Sequence, residues 1–300
     1  MATPTLWAVM GPTASGKTRL AEALAEARKA QLVNADAFQV YRGFDVGTAK
    51  PEDRPKYRLL DIKEPTEEYG VGEWTEDAAR VLKDCYVQGQ DAVLVGGTGF
   101  YIRALTEGYA QMKPPPDPGL RAELEAQEQA EGLPGLLLRL EALDSDAYTK
   151  VDRQNPVRVR RAIERALTQA EPLQVELPPF DRRKIAIMPP TAELFPDIEE
   201  RTHQMLASGW PDEVAGLIAK EVPPECPAFR AIGYQDLRRV KLDRWPLGKA
   251  EESIVRATKK YAKRQLTWLR KEPNVNLVLL KSVRKENLDE TLSACLTLTG

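Results

Sequence analysis

Histidine is almost absent from this 300-residue sequence, which has only His203, and its three cysteines (Cys85, Cys226, Cys295) are widely spaced with no C-x-x-C pair. That scarcity argues against histidine-based triads, zinc sites and a disulfide framework. No apolar run approaches the roughly 18 residues of a membrane span, and MATPTLWAVM lacks the basic start and small-residue cleavage site of a secretory leader. A cytoplasmic address without a membrane partner is therefore expected. Charge of one sign is not in excess either: 43 basic residues face 45 acidic ones, for a net charge of −2. The total charge does not announce a nucleic-acid partner, so any such signal has to be local.

What is present is an ordinary globular composition, 42% hydrophobic and 29% charged, on a chain long enough for one large or two modest domains. LWAVM is a short apolar run followed by Gly-Pro, and TRLAEALAEARKA has Leu20, Leu24 and Ala27 at helical spacing, giving strand, loop, helix. AQLVNAD reads as a second strand, AARVLKDCYVQG as a helix and DAVLVGG as a buried strand. This alternation predicts an α/β core like that of P-loop NTPases, with a parallel sheet flanked by helices. The prolines of KPPPDPG (113–119) interrupt it. From there to about Glu171 every segment is helical in pattern, and RRKIAIMPP (182–190) returns to strand character. The expected domains are a catalytic core over 1–113 and 181–300 and an all-helical insertion over 114–180. Helices are also expected in ELFPDIEERTHQMLASG, in PDEVAGLIAK and from about Lys249 to Lys271.

Gly11-Pro12-Thr13-Ala14-Ser15-Gly16-Lys17-Thr18 matches G-x-x-x-x-G-K-[ST] between the strand and helix that the motif requires. Backbone N–H groups and the helix N-terminus suit phosphate oxygens, Lys17 adds a point charge, and the Thr18 hydroxyl suits Mg²⁺. Nucleotide hydrolases of this class carry a carboxylate at the end of a later strand, whereas AVLVGG ends in Gly96-Gly97-Thr98-Gly99. Thr98 offers a hydroxyl at the edge where open α/β sheets bind ligands. Asp36 ends the second expected strand. With the common strand order it lies next to the phosphate loop, placed to take a proton from an attacking nucleophile, although an Asp there is equally suited to capping the next segment. Phe38, Gln39, Tyr41, Arg42 and Lys50 interleave in a mixture suited to stacking on and reading a base.

Basic residues gather twice. Around RVRRAIER, five arginines (153, 158, 160, 161, 165) meet only Asp152 and Glu164, and RATKKYAKRQLTWLRK (256–271) has seven basic residues and no acid. On the second, Arg256, Lys260, Lys263, Arg264 and Lys271 share a helical face opposite Leu266 and Leu269. Surfaces of one sign favour a polyanionic partner over a merely solvated face.

The ordered set GPTASGKT, ADAFQVYRGFDVGTAKP, EYGVGEW, VGGTGFYIRAL, QNPVRVRRAIE, RAIGYQDL and ATKKYAKRQLTWLR, running from Gly11 to Arg270, resembles the tRNA dimethylallyltransferases, also called tRNA isopentenyltransferases. The resemblance implies transfer of a dimethylallyl group from its diphosphate to N6 of the adenosine 3′-adjacent to the anticodon, in tRNAs reading codons that begin with U. The phosphate loop, residues 11–18, would then hold dimethylallyl diphosphate rather than ATP. Asp36 would be the general base, with Lys17 and Thr18 on the diphosphate and its Mg²⁺ and Arg230 neutralising the leaving group. The tRNA anticodon stem-loop would meet Asp36, Ala37, Phe38, Gln39, Thr98, Arg121, the stretch Gln154, Asn155, Pro156, Val157, Arg158, and the helix bearing Lys260, Lys263 and Arg264. The family commonly has Ser after the catalytic Asp; Ala37 lacks that hydroxyl. A monomer is expected. The rival readings are a small-molecule kinase of the P-loop class and an adenylate isopentenyltransferase.

Overall fold

Residues 3–107, 118–168, 175–272, 277–281 and 283–297 are described by the computed structural model. In chain order the first elements are β1 (Thr5–Met10), α1 (Lys17–Arg28), β2 (Gln31–Asn34), β3 (Tyr57–Arg58), α2 (Val71–Val87), β4 (Ala92–Gly96) and α3 (Gly99–Glu107). Three helices follow, α4 (Pro118–Leu143), α5 (Ser145–Lys150) and α6 (Pro156–Leu167). The chain continues through β5 (Asp181–Ile187), α7 (Thr191–Ala207), α8 (Trp210–Ala219), α9 (Tyr234–Leu242), α10 (Leu247–Leu269), β6 (Leu277–Leu280) and α11 (Leu288–Thr297). These elements fall into two compact units, residues 1–107 with 175–300 in one and 108–174 in the other.

The larger unit is built on a six-stranded sheet in the order β3-β2-β4-β1-β5-β6, parallel throughout. β1 is buried on both sides, as parallel strands covered by helices must be. Leu6, Ala8 and Met10 pack into one core with Trp74, Ala78 and Leu82 of α2 and Ile102 and Leu105 of α3. The alternate residues Trp7 and Val9 pack into the other, against Leu20 and Leu24 of α1 and Cys295 of α11. β4 lies between β1 and β2. β3, β6 and α11 are further elements that the sequence reading did not assign.

The smaller unit has its own core, in which Leu124, Leu136 and Leu140 of α4 meet Val159, Ala162 and Ile163 of α6. α4 is two helical pieces, broken at Gly132 where φ is +68°. The N-cap of α6 is Asn155, whose Oδ1 accepts from the Arg158 N–H at 3.2 Å, and Pro156 occupies the first turn.

β2 and β4 come so close at their carboxyl ends that a Cβ on Gly96 would overlap the Ala35 carbonyl. Gly96→Ala is therefore expected to cost about 1–3 kcal/mol of stability, measured as a lower Tm in thermal melts. An unchanged Tm would show that this strand spacing gives way freely.

Candidate active site

The turn after β1 is held by the Ser15 N–H donating to the Pro12 carbonyl at 3.3 Å, with Ala14 at φ +63° and Gly16 at φ +83°. Only glycine takes the second geometry without strain. Here a side chain is also barred by space, because a Cβ on Gly16 would run into the Val283 carbonyl. α1 starts at Lys17, so its unpaired N-terminal N–H groups open onto the loop. The Ser15 hydroxyl is buried in the loop without a partner among the described residues.

Gln265 of α10 bolts the loop in place. Its Oε1 accepts from the Thr13 N–H at 3.0 Å and its Nε2 donates to the Gly97 carbonyl at 2.8 Å. Arg201 of α7 reaches the same turn, with Nη1 donating to Thr13 Oγ1 at 3.4 Å. Lys17 Nζ donates only a long bond, 3.4 Å, to the Pro12 carbonyl. Burial, and then the Arg201 charge, lower the Lys17 pKa to about 8, with Asp36 acting the other way. Burial lowers Arg201 as well, again opposed by Asp36.

Asp36 follows β2. Its Oδ1 accepts from the Phe38 N–H at 2.9 Å, while Oδ2 has no hydrogen-bond partner among the described residues. One oxygen thus closes the local turn, and the other has no hydrogen-bond partner among the described residues. The end of β2 is itself fixed by the Trp74 indole N–H, which donates to the Asn34 carbonyl at 2.9 Å.

Lys17, Thr18, Asp36, Arg201 and Gln265 line one cavity of about 370 Å³. Phe38, Gln39 and Arg230 line it too, although Gln39 Nε2 is committed to the Thr48 carbonyl at 3.0 Å and Arg230 pairs with Glu68 at 3.3 Å. Apolar side chains, among them Met205, Trp210, Ile232 and Ile254, complete the wall. A second cavity of about 210 Å³ is lined by Thr98, Phe100 and Trp268 and shares Tyr261, Arg264 and Gln265 with the first. The Tyr261 hydroxyl is hydrogen-bonded to Thr98 and Gln265.

Ala37 packs against the core. Lys260, Lys263 and Arg264 are exposed along α10, with Lys263 5.3 Å above the Phe195 ring and Arg264 5.6 Å above Tyr261. In the helical unit, Gln154, Pro156 and Val157 lie at the start of α6, and Val157 is 62% exposed.

Three expectations need correction. Tyr41 and Lys50 do not face a base: Tyr41 is buried, and the Lys50 ammonium is enclosed by Asp45, Asp61 and the Tyr41 carbonyl. Arg42, by contrast, stays exposed and pairs with Glu64 at 2.5 Å. The arginines of α6 are not a surface of one sign, because α4 supplies acids across from them. Arg160 lies 2.8 Å from Glu125 and 3.2 Å from Glu128, Arg161 pairs with Glu164 at 2.9 Å, and Arg121 reaches Glu164 at 3.7 Å. Arg158 is held by Asp152 at 3.1 Å. Lys259 of α10 also finds an acid, Glu199 of α7.

Arg201 and Gln265 are the site residues that sequence reasoning missed. The first stands in the mixed-charge run DIEERTHQML and the second among seven basic residues. The available signal was spacing. Ile198, Arg201, Thr202 and Met205 fall on one face of α7, and that face lines the cavity.

Residues 39–272 match the family model described as IPP transferase, and residues 4–60 match one described as Isopentenyl transferase. A tRNA dimethylallyltransferase of Deinococcus radiodurans is 40% identical over 282 residues, covering 91% of this chain and 92% of its own. One from Thermus thermophilus is 41% identical over 88% of each chain. Among solved structures, the tRNA isopentenylpyrophosphate transferase of Bacillus halodurans aligns with a TM-score of 0.70 at 30% identity, covering 98% of this chain and 96% of that one. Matching these proteins along most of its length, the chain belongs to the IPP transferase family.

Proposed function

We propose that the protein transfers a dimethylallyl group from dimethylallyl diphosphate to N6 of the adenosine 3′-adjacent to the anticodon, in tRNAs reading codons that begin with U. The observation that carries this reading is the burial of Lys17 and Arg201 together beside Asp36, in a cavity whose lining also includes the apolar side chains Met205, Ile232 and Ile254. Two desolvated cations call for a polyanion, and the apolar part of the lining suits a hydrocarbon. The relatives' names supply the acceptor.

In this reading the loop N–H groups, Lys17 and Arg201 hold the diphosphate and take up the charge that develops as it leaves. Arg201 takes the share expected of Arg230, whose guanidinium is 63% exposed and paired with Glu68. Mg²⁺ fits the donor set through the Thr18 hydroxyl and diphosphate oxygens beside the orphaned Ser15 hydroxyl, and it would supply further neutralisation of the leaving group. The bond from the allylic carbon to the bridging oxygen breaks as the bond from N6 forms, and the proton leaving N6 goes to the free Oδ2 of Asp36. An adenine stacked in the anticodon loop is out of reach, so the base is extruded at a cost of a few kcal/mol. Phe38 beside Asp36 offers a stacking surface, and the exposed face of α10 offers cations for tRNA phosphates, offsetting that cost. The helical unit, with Arg121 and Gln154–Arg158, takes part in gripping the stem-loop. We infer a cytoplasmic monomer.

The direct test incubates the protein with Mg²⁺, labelled dimethylallyl diphosphate and unmodified tRNA. Label is expected on the adenosine, and phosphoryl transfer from ATP in its place would establish the kinase reading instead. Asp36→Asn is expected to lower kcat about 100-fold while tRNA affinity is retained; equal loss of both would make Asp36 structural.

The buried lysine gives a pH dependence. In the free protein Lys17 loses its proton as pH rises through about 8, whereas a bound diphosphate favours the ammonium and raises that pKa. Binding must then take up a proton above pH 8, so donor affinity falls by up to about tenfold per pH unit there. Calorimetric titration of dimethylallyl diphosphate from pH 7 to 10 reads this directly, and Lys17→Met should bind more weakly with a flatter profile. A wild-type profile parallel to that of the variant would remove Lys17 from the diphosphate.

Removing charge at Lys260 and Lys263 together should weaken tRNA binding and reduce the slope of log K against log salt by about 1–2. A slope that stays put would make the face an ordinary solvated surface.

A further inference from the structure

The arginines of α6 lose their single sign once α4 packs across them, but the cations of α10 keep theirs. Lys249, Arg256, Lys260 and Lys263 are all exposed. At about 100° per residue they fall within roughly 60° of one another, so they form one stripe along the helix. Arg264 lies beside its far end and lines both cavities. From there back to Lys249 the helix runs about 22 Å, at 1.5 Å per residue. The turn before α10 adds Arg239 and Arg244, both exposed, and Trp245. The Trp245 N–H donates to the Arg239 carbonyl at 3.3 Å, and the Arg239 guanidinium rests 4.3 Å from the centre of the indole. The ring thus holds that cation in place at the surface. Between Arg239 and Arg264 eight basic residues are exposed against two exposed acids, Asp243 and Glu252. Lys241 finds Asp212 at 3.5 Å and the partly buried Lys259 finds Glu199. Arg239, Arg244, Lys249, Arg256 and Lys260 have no carboxylate within 4.0 Å among the described residues. Uncompensated charges of one sign, fixed along a rigid helix, favour a polyanion lying on that line.

We propose that the α9–α10 turn is a second RNA-binding patch, in which Arg239, Arg244 and Lys249 take phosphates of the tRNA beyond the nucleotides that enter the cavity. The assignment rests on the reading of the protein as an enzyme acting on tRNA. Phosphate contacts carry no sequence information, so the patch supplies affinity and orientation rather than the choice of tRNA. Arg239 suits this role, because a guanidinium already held against an indole gives up little freedom when its planar fork meets phosphate oxygens. Leu242 and Leu247, 50% and 43% exposed, flank the turn and make an anionic membrane the competing occupant. RNA is favoured because the cations lead along α10 to Arg264, which lines both cavities.

The test is the double variant Arg244→Gln/Lys249→Gln, which alters two exposed side chains and leaves the contact of Arg239 with Trp245 intact. Its KM for unmodified tRNA should rise about tenfold at roughly 0.1 M salt, with the loss confined to KM, and the slope of log K against log salt should fall by about 1–2. The control, Lys29→Gln/Lys83→Gln, removes the same charge near the helix ends that lead into β2 and β4, at the sheet edge opposite the phosphate loop. It should leave the tRNA KM and the salt slope as in the wild type. Equal losses in the two variants would mean a general charge effect and overturn the patch, as would an unchanged slope in Arg244→Gln/Lys249→Gln. Sedimentation with phosphatidylserine vesicles in the same buffer addresses the rival occupant. Vesicle binding by the wild type that the patch variant loses, with tRNA affinity kept, assigns the turn to a membrane instead. A wild type that modifies tRNA no better than the patch variant, at equal KM, sinks the patch alone, whereas a wild type that neither binds nor modifies tRNA removes the functional reading beneath it.

Discussion

Two cations buried in one cavity, with a single carboxylate to offset them, are the constraint on which the rest of the site depends. Lys17 and Arg201 both lose stability as charged groups through burial, and each raises the cost of the other. Asp36 opposes both shifts but is one charge against two. An arrangement of this kind is unfavourable until an anion with several acceptor oxygens enters, because only then are the fixed donors satisfied and the repulsion screened. The cavity therefore selects a polyanion before any specific contact is considered. Its position against the loop and the α1 terminus narrows that to phosphate chemistry.

Keeping such groups in place requires a stiff surround, and the polar side chains near the cavity supply it. Gln265 spans three elements at once, joining α10 to the phosphate loop and to the end of β4. On the opposite wall, Glu213 of α8 accepts from the Asp45 and Val46 N–H groups at 2.9 and 2.7 Å and from the Tyr234 hydroxyl at 2.6 Å. Lys50 sits within the same segment, donating to Asp45 at 2.8 Å and to the Tyr41 carbonyl at 2.6 Å. Residues 44–50, which carry the cavity-lining Gly47 and Thr48, are thus fastened from both sides. Preorganised donors and walls act without reorganising at the moment of reaction, and that economy is where electrostatic stabilisation of a departing group comes from.

Features written in local pattern were legible in the sequence, and features that depend on what packs opposite were not. The phosphate loop, β1, α1, β4 and the long α10 each follow from a run of adjacent residues with a clear period or motif. The neighbour of β1 does not, because strand order is decided by crossovers rather than by any one segment. The arginines of α6 read as a cationic surface until α4 is laid across from them with Glu125 and Glu128. Lys50 and Tyr41 read as base-recognition groups because an exposed-looking mixture of residue types carries no record of burial. Arg201 had no distinguishing neighbours in sequence; only the fold brings it to Thr13.

Strand order also bears on the chemistry. With β4 between them, β1 and β2 are two strand spacings apart, about 9–10 Å. Carried on β2, Asp36 faces the same cavity as Lys17 and Arg201, a placement as open to a kinase's acceptor hydroxyl as to an amine. Among the side chains that share this lining, Met205, Ile232 and Ile254 suit a short hydrocarbon. Gly96-Gly97 adds to this, since β4 meets β2 too closely at Ala35 to carry the strand-end carboxylate of a nucleotide hydrolase. The Gly97 carbonyl is taken instead by the Gln265 amide. The strand end is thus closed by an amide from α10 rather than left to a carboxylate.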